Sequence, residues 1–259
     1  MSAAPGKRSL WAIGIVGVAI LFGLPAVAEL YIIIDATVYV SLAILALSLG
    51  LIWGYGGILC FGQAAFFGLG GYTYAIAALN FGDTTGAVLL AIVVPAAFAA
   101  ILGYFLFYGR VSDVYFAVIT LAVTLILFKL LNSTAGPEYR IGVARLGGFN
   151  GIPSTPPLNV PGMPERVLTP EETFYVAMTA LLLAYYGCVW LLRTHFGRVI
   201  VSIRENELRA ELLGYDVRLY KLGVFAIGGG MAGLASILFA NSVFNVTPIM
   251  FGLVSTAQI

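Results

Sequence analysis

Charge is what this 259-residue sequence has least of: 10% of its residues are Asp, Glu, Lys or Arg, against 61% hydrophobic, and the mean hydropathy is +1.00. Soluble domains carry about 25% charged residues, so that class is excluded. A net charge of +1 says nothing about nucleic acid, and no nucleic-acid partner is expected; the distribution of charge matters instead. There is one histidine, His195, with no cysteine or acid cluster beside it, so no metal site is expected. Two cysteines, Cys60 and Cys188, lie in or beside apolar runs and are expected as buried thiols, not a disulfide framework. No Gly-x-x-x-x-Gly-Lys-Ser/Thr occurs, which excludes a phosphate loop of this kind. Neither a Ser-His-Asp arrangement nor paired carboxylates stand within the apolar runs, and no cofactor or catalytic residue is expected. Few ionisable residues interrupt those runs, which argues against an intramembrane proton relay.

What fills the chain is continuous apolar sequence without two-residue alternation. The fold class is therefore an all-α polytopic membrane protein, one domain over 1–259. Seven spans are predicted, at approximately 10–28, 31–53, 57–79, 86–108, 114–131, 172–192 and 222–244. A short basic lead (Lys7, Arg8) precedes the first. Ala26-Val27-Ala28 resembles a signal-peptidase site, but another apolar run follows almost at once, which favours a retained span. Residues 132–169 hold six prolines and a run of glycines, the composition of a loop with turns and not of a domain. The Asn132-Ser-Thr134 sequon stands without other secretory features and is discounted. Lys129 lies near enough to a span end to snorkel. The sequence stops at Ile259 in an apolar stretch, and the chain is expected to be C-terminally truncated.

Basic residues test this topology. With the N-terminus in the cytoplasm, Lys7, Arg8, Arg110 and six residues of the 193–221 segment fall inside, nine in all, while Arg140, Arg145 and Arg166 fall outside. That asymmetry is the one expected of cytoplasmic loops. Loop 132–169 is then external, and 193–221 cytoplasmic.

Two stretches stand out within this frame. From Gly54 to Gly71, seven of eighteen residues are glycine, although each lowers helix propensity by about 1 kcal/mol relative to Ala. Either small residues let helices approach closely, or the helix is interrupted beside a polar path. Gly62, Gln63 and Gly70, with Thr120 and Thr124 on one face of a later span, are the candidate path residues. Gln63 favours the path, since a buried amide needs partners. Gly229 and Gly233, in a Gly-x-Gly-x-x-Gly string inside an apolar span, read as a helix-packing pair and not as a nucleotide fingerprint.

The second stretch, Arg193 to Lys221, carries six of the thirteen basic and four of the twelve acidic residues. Ser202-Ile-Arg-Glu205 fits a capping box, and Gly214 suits the left-handed residue that ends a helix. A rod of about 16 Å is predicted between them, with Leu208 and Leu212 as an apolar ridge. It is too short to span a bilayer and needs something to pack on. A solvated loop and a docking helix for another protein are both open on these residues alone.

The sequence resembles permeases of ATP-binding-cassette importers, specifically the branched-chain amino acid type, which also includes urea and short-amide importers. Three places carry the resemblance: Leu51 to Tyr72, similar to the family's glycine-rich signature; Val114 to Leu121; and Phe196 to Asp216, similar to its cytoplasmic loop. The resemblance implies that this loop is the coupling helix, with Ser202, Glu205, Glu207, Leu208, Ala210, Leu212 and Gly214 facing a nucleotide-binding ATPase subunit. It further implies a second homologous permease subunit, an external solute-binding protein, and a place in the lipid bilayer of the bacterial inner membrane. Two departures stand against it. Many relatives have histidine where Gln63 stands, and family members continue with further spans beyond Ile259. A non-transporting membrane scaffold and an ion-coupled carrier are the alternatives from other classes, the second disfavoured by the acid-poor spans.

Overall fold

The computed structural model describes residues 7–136, 138–153 and 155–252, with side chains from Trp11 onward in the first helix. The Lys7 and Arg8 side chains, Pro137 and the final apolar stretch lie outside the described residues. Long apolar segments close their own backbone hydrogen bonds as helices, as a bilayer requires: α1 (Lys7–Val27), α2 (Leu30–Leu49), α3 (Gln63–Phe81), α4 (Thr84–Tyr108), α5 (Asp113–Asn132), α6 (Pro170–Arg193), α7 (His195–Glu205), α8 (Glu207–Leu212) and α9 (Val217–Val243). A π-helical turn, Gly50–Tyr55, extends α2. Among the described residues, five segments are long and apolar enough to cross a membrane: Leu30–Tyr55, α4, α5, α6 and α9. The protein is an all-α polytopic membrane fold.

Two span boundaries differ from the sequence reading. The third helix begins at Gln63, not near 57, because Gly57 takes φ +68° and residues 56–62 leave the helix. The seventh long helix begins at Val217, not 222, because the Asp216 carboxylate accepts from the amides of Arg218 (3.2 Å) and Leu219 (3.3 Å) and starts the helix early.

α9 is the buried centre. Its Gly229 lies where a Cβ would come 3.0 Å from the Pro95 carbonyl oxygen, and at Gly233 a Cβ would come 2.2 Å from that of Ala91. These are backbone approaches that only glycine permits, so the helix-packing reading of that pair holds.

Residues 132–169 form three minimal antiparallel ribbons: β1 (Arg140–Ile141) with β2 (Ala144–Arg145), β4 (Asn159–Val160) with β5 (Met163–Val167), and β3 (Ile152–Pro153) with β6 (Asn245–Val246), which follows α9. Asparagine side chains fasten this loop to the helix ends. Asn80 of α3 donates to Ile141 O and accepts from Val143 N, both at 3.0 Å. Asn241 of α9 accepts from Leu158 N at 2.7 Å and donates to the Thr173 hydroxyl of α6 at 3.2 Å. Buried Asn159 accepts from Thr84 N at 2.9 Å and donates to the Asp83 carboxylate at 3.0 Å, gripping the start of α4.

The Asn159 amide, followed by the Thr85 backbone amide, holds the Asp83 carboxyl below its ordinary value. A carboxylate with a lowered folded pKa stabilises the fold above its unfolded pKa of about 3.9, and that contribution is lost as pH falls through the folded value. We therefore expect protease cleavage within 132–169 to rise on acidification through that window, and Asp83→Asn to reduce the dependence. Asn159→Ala should open the loop at neutral pH as well, at about 1–3 kcal/mol for the buried groups left unpaired. Cleavage rates read both.

Candidate functional site: a helix break and a helical arm

Two features at the end of the bundle opposite loop 132–169 concentrate the polar groups singled out in the sequence. The first is the break between α2 and α3. Gly56 N donates to Leu51 O at 3.0 Å, five residues back, and Ile58 N to Ile52 O at 3.1 Å. Chain that leaves a helix inside a membrane must find its backbone partners within the protein. Here Phe61 N donates to the Thr120 hydroxyl at 3.3 Å, and that hydroxyl donates to Ala117 O at 2.9 Å. Thr124 bonds one turn on, donating to Thr120 O at 2.8 Å. Gly62 lies against the same threonine; a Cβ there would come 2.8 Å from Thr120 O.

Gln63 opens α3 and is fully buried. Its Nε2 donates to the Ser48 hydroxyl of α2 and to Gly228 O of α9 at 3.4 Å. Its Oε1 has no hydrogen-bond partner. One residue thus joins three helices at the break and holds one unused acceptor. Gly70 lies two turns deeper, where a Cβ would come 2.7 Å from Gly233 Cα and 2.3 Å from the Ser236 hydroxyl oxygen. The structure brings Gly62 and Thr120 together at the break with Gln63 next in the chain, while Thr124 bonds within α5 and Gly70 serves the α3–α9 contact. A cavity of about 1040 Å³ between α1, α2 and α6 is lined almost wholly by apolar side chains and does not include Gln63.

The second feature is the arm between α6 and α9. The predicted rod from Ser202 to Gly214 is two helices, and the Ser202–Glu205 capping box is not formed. Ser202 lies inside α7, where Ser202 O accepts from Asn206 N at 3.0 Å. Val199, Ile200 and Ile203 bury one face of α7, which carries the helix through Ser202 to Glu205. Asn206 then caps α8, its Oδ1 accepting from Arg209 N at 2.9 Å. The Asn before Glu-Leu-Arg was the signal to follow, being as good a cap as serine. Gly214 is left-handed as expected, at φ +89°.

Along α8, Ala210 faces inward, whereas Leu208, Leu212 and Leu213 are 66%, 80% and 67% exposed. Glu207 pairs with Lys221 of α9 at 2.7 Å, while Glu205 stays exposed at the end of α7. Arg204, given no role from sequence, donates from Nη1 to Gly54 O and so ties the arm to the break.

The sequence model of the branched-chain amino acid transport system / permease component family matches residues 31–258. The chain belongs to this family. The High-affinity branched-chain amino acid transport system permease protein LivM of Salmonella typhimurium is 29% identical over 245 residues, covering 86% of this chain and 55% of the relative. Its Escherichia coli counterpart is 28% identical over 246 residues, with the same coverage of 86% and 55%. The Probable branched-chain amino acid transport permease protein LivM of Methanocaldococcus jannaschii is 25% identical over 238 residues, covering 78% of this chain and 65% of the relative. The chain thus spans 55% of the length of the first two relatives. No solved structure matches it.

In this permease-family chain the break and the arm both fall within the matched residues, whereas α1 precedes them. Family and apolar helices together make it a multi-pass membrane protein. Its glycines are not equivalent. Gly70→Ala should destabilise by about 1–3 kcal/mol, the usual result of overpacking. Gly54→Ala, with nothing within 4 Å of the added Cβ, should be neutral or slightly stabilising. Thermal unfolding in detergent separates them; equal midpoints would remove the close-packing assignment at Gly70.

Proposed function

We propose that this chain is the transmembrane permease subunit of an ATP-driven importer of branched-chain or related amino acids. In this reading a separate nucleotide-binding subunit hydrolyses ATP, a second homologous permease completes the path, and an external solute-binding protein delivers the solute. The observation that carries it is the exposed apolar ridge of Leu208, Leu212 and Leu213 on a capped helix between two spans. Central apolar anchors dominate protein contacts, and an ATPase subunit is the partner that the family makes natural for such a ridge. Ser202, Glu205, Glu207 and Ala210 support the same arm, and Gly214 ends it.

The nine-to-three distribution of basic residues supports a cytoplasmic arm, a cytoplasmic N-terminus, seven crossings and an inner-membrane location. Gln63, with Gly62, Thr120 and Thr124, borders the path in this proposal, and Gly70 sets its packing. Broken helices are where transporters present polar groups at membrane depth, and the unused Gln63 oxygen suits a donor on a passing solute or water. Urea or a short amide in place of an amino acid would appear in the ligand profile of the solute-binding protein.

Two measurements test this reading. Single cysteines at Met163 and Asn206, with the native thiols removed, should label from opposite sides of the membrane. An impermeant reagent on intact cells should reach 163 and not 206. Leu208→Glu should insert normally yet lose capture of the ATPase subunit and solute-stimulated ATP hydrolysis, because an unpaired charge enters a desolvated contact. A variant that captures the ATPase and hydrolyses ATP as the unmodified chain does would overturn docking at this ridge, and uptake indifferent to ATP would overturn the importer.

A further inference from the structure

The arm touches the bundle at several points, and they are not alike. Val199, Ile200 and Ile203 bury one face of α7 against the bundle. The Glu207–Lys221 pair joins α8 to the first turns of α9, with side chains 50% and 14% exposed. An ion pair so placed contributes about 0–1 kcal/mol and ties the arm only to the helix that follows it. The Arg204 side chain reaches the break, 150 residues away in sequence, at Gly54 O.

The local backbone is shaped around that side chain. Gly57 has φ +68°, a region that glycine adopts freely and other residues rarely do. A Cβ on Gly57 would come 2.7 Å from Arg204 Cγ and 3.2 Å from Arg204 Cβ, so the aliphatic stem lies directly across the turn. On its other side, Gly56 is wedged against α9, where a Cβ would come 2.9 Å from a Val224 methyl. The gripped carbonyl belongs to the π-helical turn Gly50–Tyr55. Such a turn has surplus helical register and recurs at functional sites. Eight residues beyond Tyr55, the same segment enters α3 at Gln63.

We propose that Arg204 is a positioning residue that transmits movement of the α7–α8 arm to the Gly54–Gly62 turn and thereby to Gln63. The inference rests on the importer reading and assigns the link between the ATPase and the path. The guanidinium holds a carbonyl near the C-terminal end of the extended α2, where a cation is favoured, and its bond is charge-assisted. Displacement of the arm by a docked subunit pulls or releases this carbonyl. The π turn is the bistable element, because slipping by one residue re-pairs the Leu51 and Ile52 carbonyls and lengthens or shortens the break.

The test compares the unmodified assembled transporter with Arg204→Ala and Arg204→Lys, reconstituted in lipid with its ATPase, companion permease and solute-binding protein. Arg204→Ala should assemble and hydrolyse ATP within about two-fold of the unmodified complex. Uptake per ATP should fall about ten-fold or more, the scale of one hydrogen bond to a charged group. Arg204→Lys, which keeps the charge and a single donor, should recover part of the loss. Amide exchange supplies a readout that a merely structural contact would not move. In the unmodified complex, exchange at Gly56 and Ile58 should differ between nucleotide-free and ATP-bound forms, and Arg204→Ala should abolish that difference.

Unchanged uptake per ATP in an assembled Arg204→Ala complex overturns the inference and leaves the importer standing. Failure of both variants to assemble also overturns it, making Arg204 a folding contact. If only Arg204→Lys assembles, its uptake per ATP decides: a reduced ratio supports the link and an unchanged one overturns it. An unmodified complex with no ATP-driven uptake overturns the importer reading and this inference together.

Discussion

The backbone of α9 approaches its neighbours more closely than side chains allow, and the arrangement of the other helices follows from that. Lipid tails are as apolar as leucine, so burial of apolar surface cannot drive helices together in a membrane; dense contact must. Along one stretch of α9 the glycines meet different partners. Gly228 faces Ile52 beside the π turn, Gly229 faces Pro95 and Ala99 of α4, and Gly233 faces Ala91 of α4 and Gly70 of α3. Gly229 and Gly233 bring main chains together, and Gly228 makes room for the Ile52 side chain. A helix so hemmed in moves with its neighbours, and α9 therefore acts as the fixed post of the bundle.

Fixing α9 creates the conditions for the break. Gly228 O accepts from Gln63 Nε2 at 3.4 Å, which joins α9 to the start of α3. Main chain that leaves its helix needs acceptors and donors at known places, and a rigid α9 together with Thr120 of α5 provides them. The polar groups there are nearly all matched within the protein, and the unpaired Gln63 oxygen is the departure. A buried acceptor left open is unfavourable by about 1–3 kcal/mol, and Gln63 carries that cost at the start of α3.

How much of this the sequence disclosed depends on whether the signal was local. Membrane helices were legible because long apolar runs need no partner to be recognised, and Gly229 with Gly233 was legible because four-residue spacing puts both on one face. The early end of helix before Gln63 was not, since Ile58, Leu59 and Phe61 continue the apolar run while the departure comes from φ at Gly57. Serine three residues before glutamate promised a cap at Ser202. Burial of Val199, Ile200 and Ile203 overrode it and carried α7 through to Asn206. Arg204 was invisible for a simpler reason: its partner is a backbone carbonyl, which no residue pattern marks. Gln63 stood out as a polar exception in apolar sequence, whereas Ser48 and Gly228 O became its partners only through tertiary contact.

The two ends of the bundle are held by different chemistry, and that asymmetry bears on motion. At the end with loop 132–169, Asn80, Asn159 and Asn241 make short bonds, one of them to the Asp83 carboxylate, that join four helices through one loop. Side-chain amides in such places carry donors and acceptors at fixed angles, so displacing one helix would break several bonds at once. At the opposite end the ties are long, flexible and charged: Arg204 to a carbonyl, and Lys221 to Glu207. A guanidinium or ammonium on a flexible stem can follow a moving partner over a few ångströms without losing it. These charged ties act beside the apolar burial of Val199, Ile200 and Ile203, which seats α7 against the bundle next to the π turn.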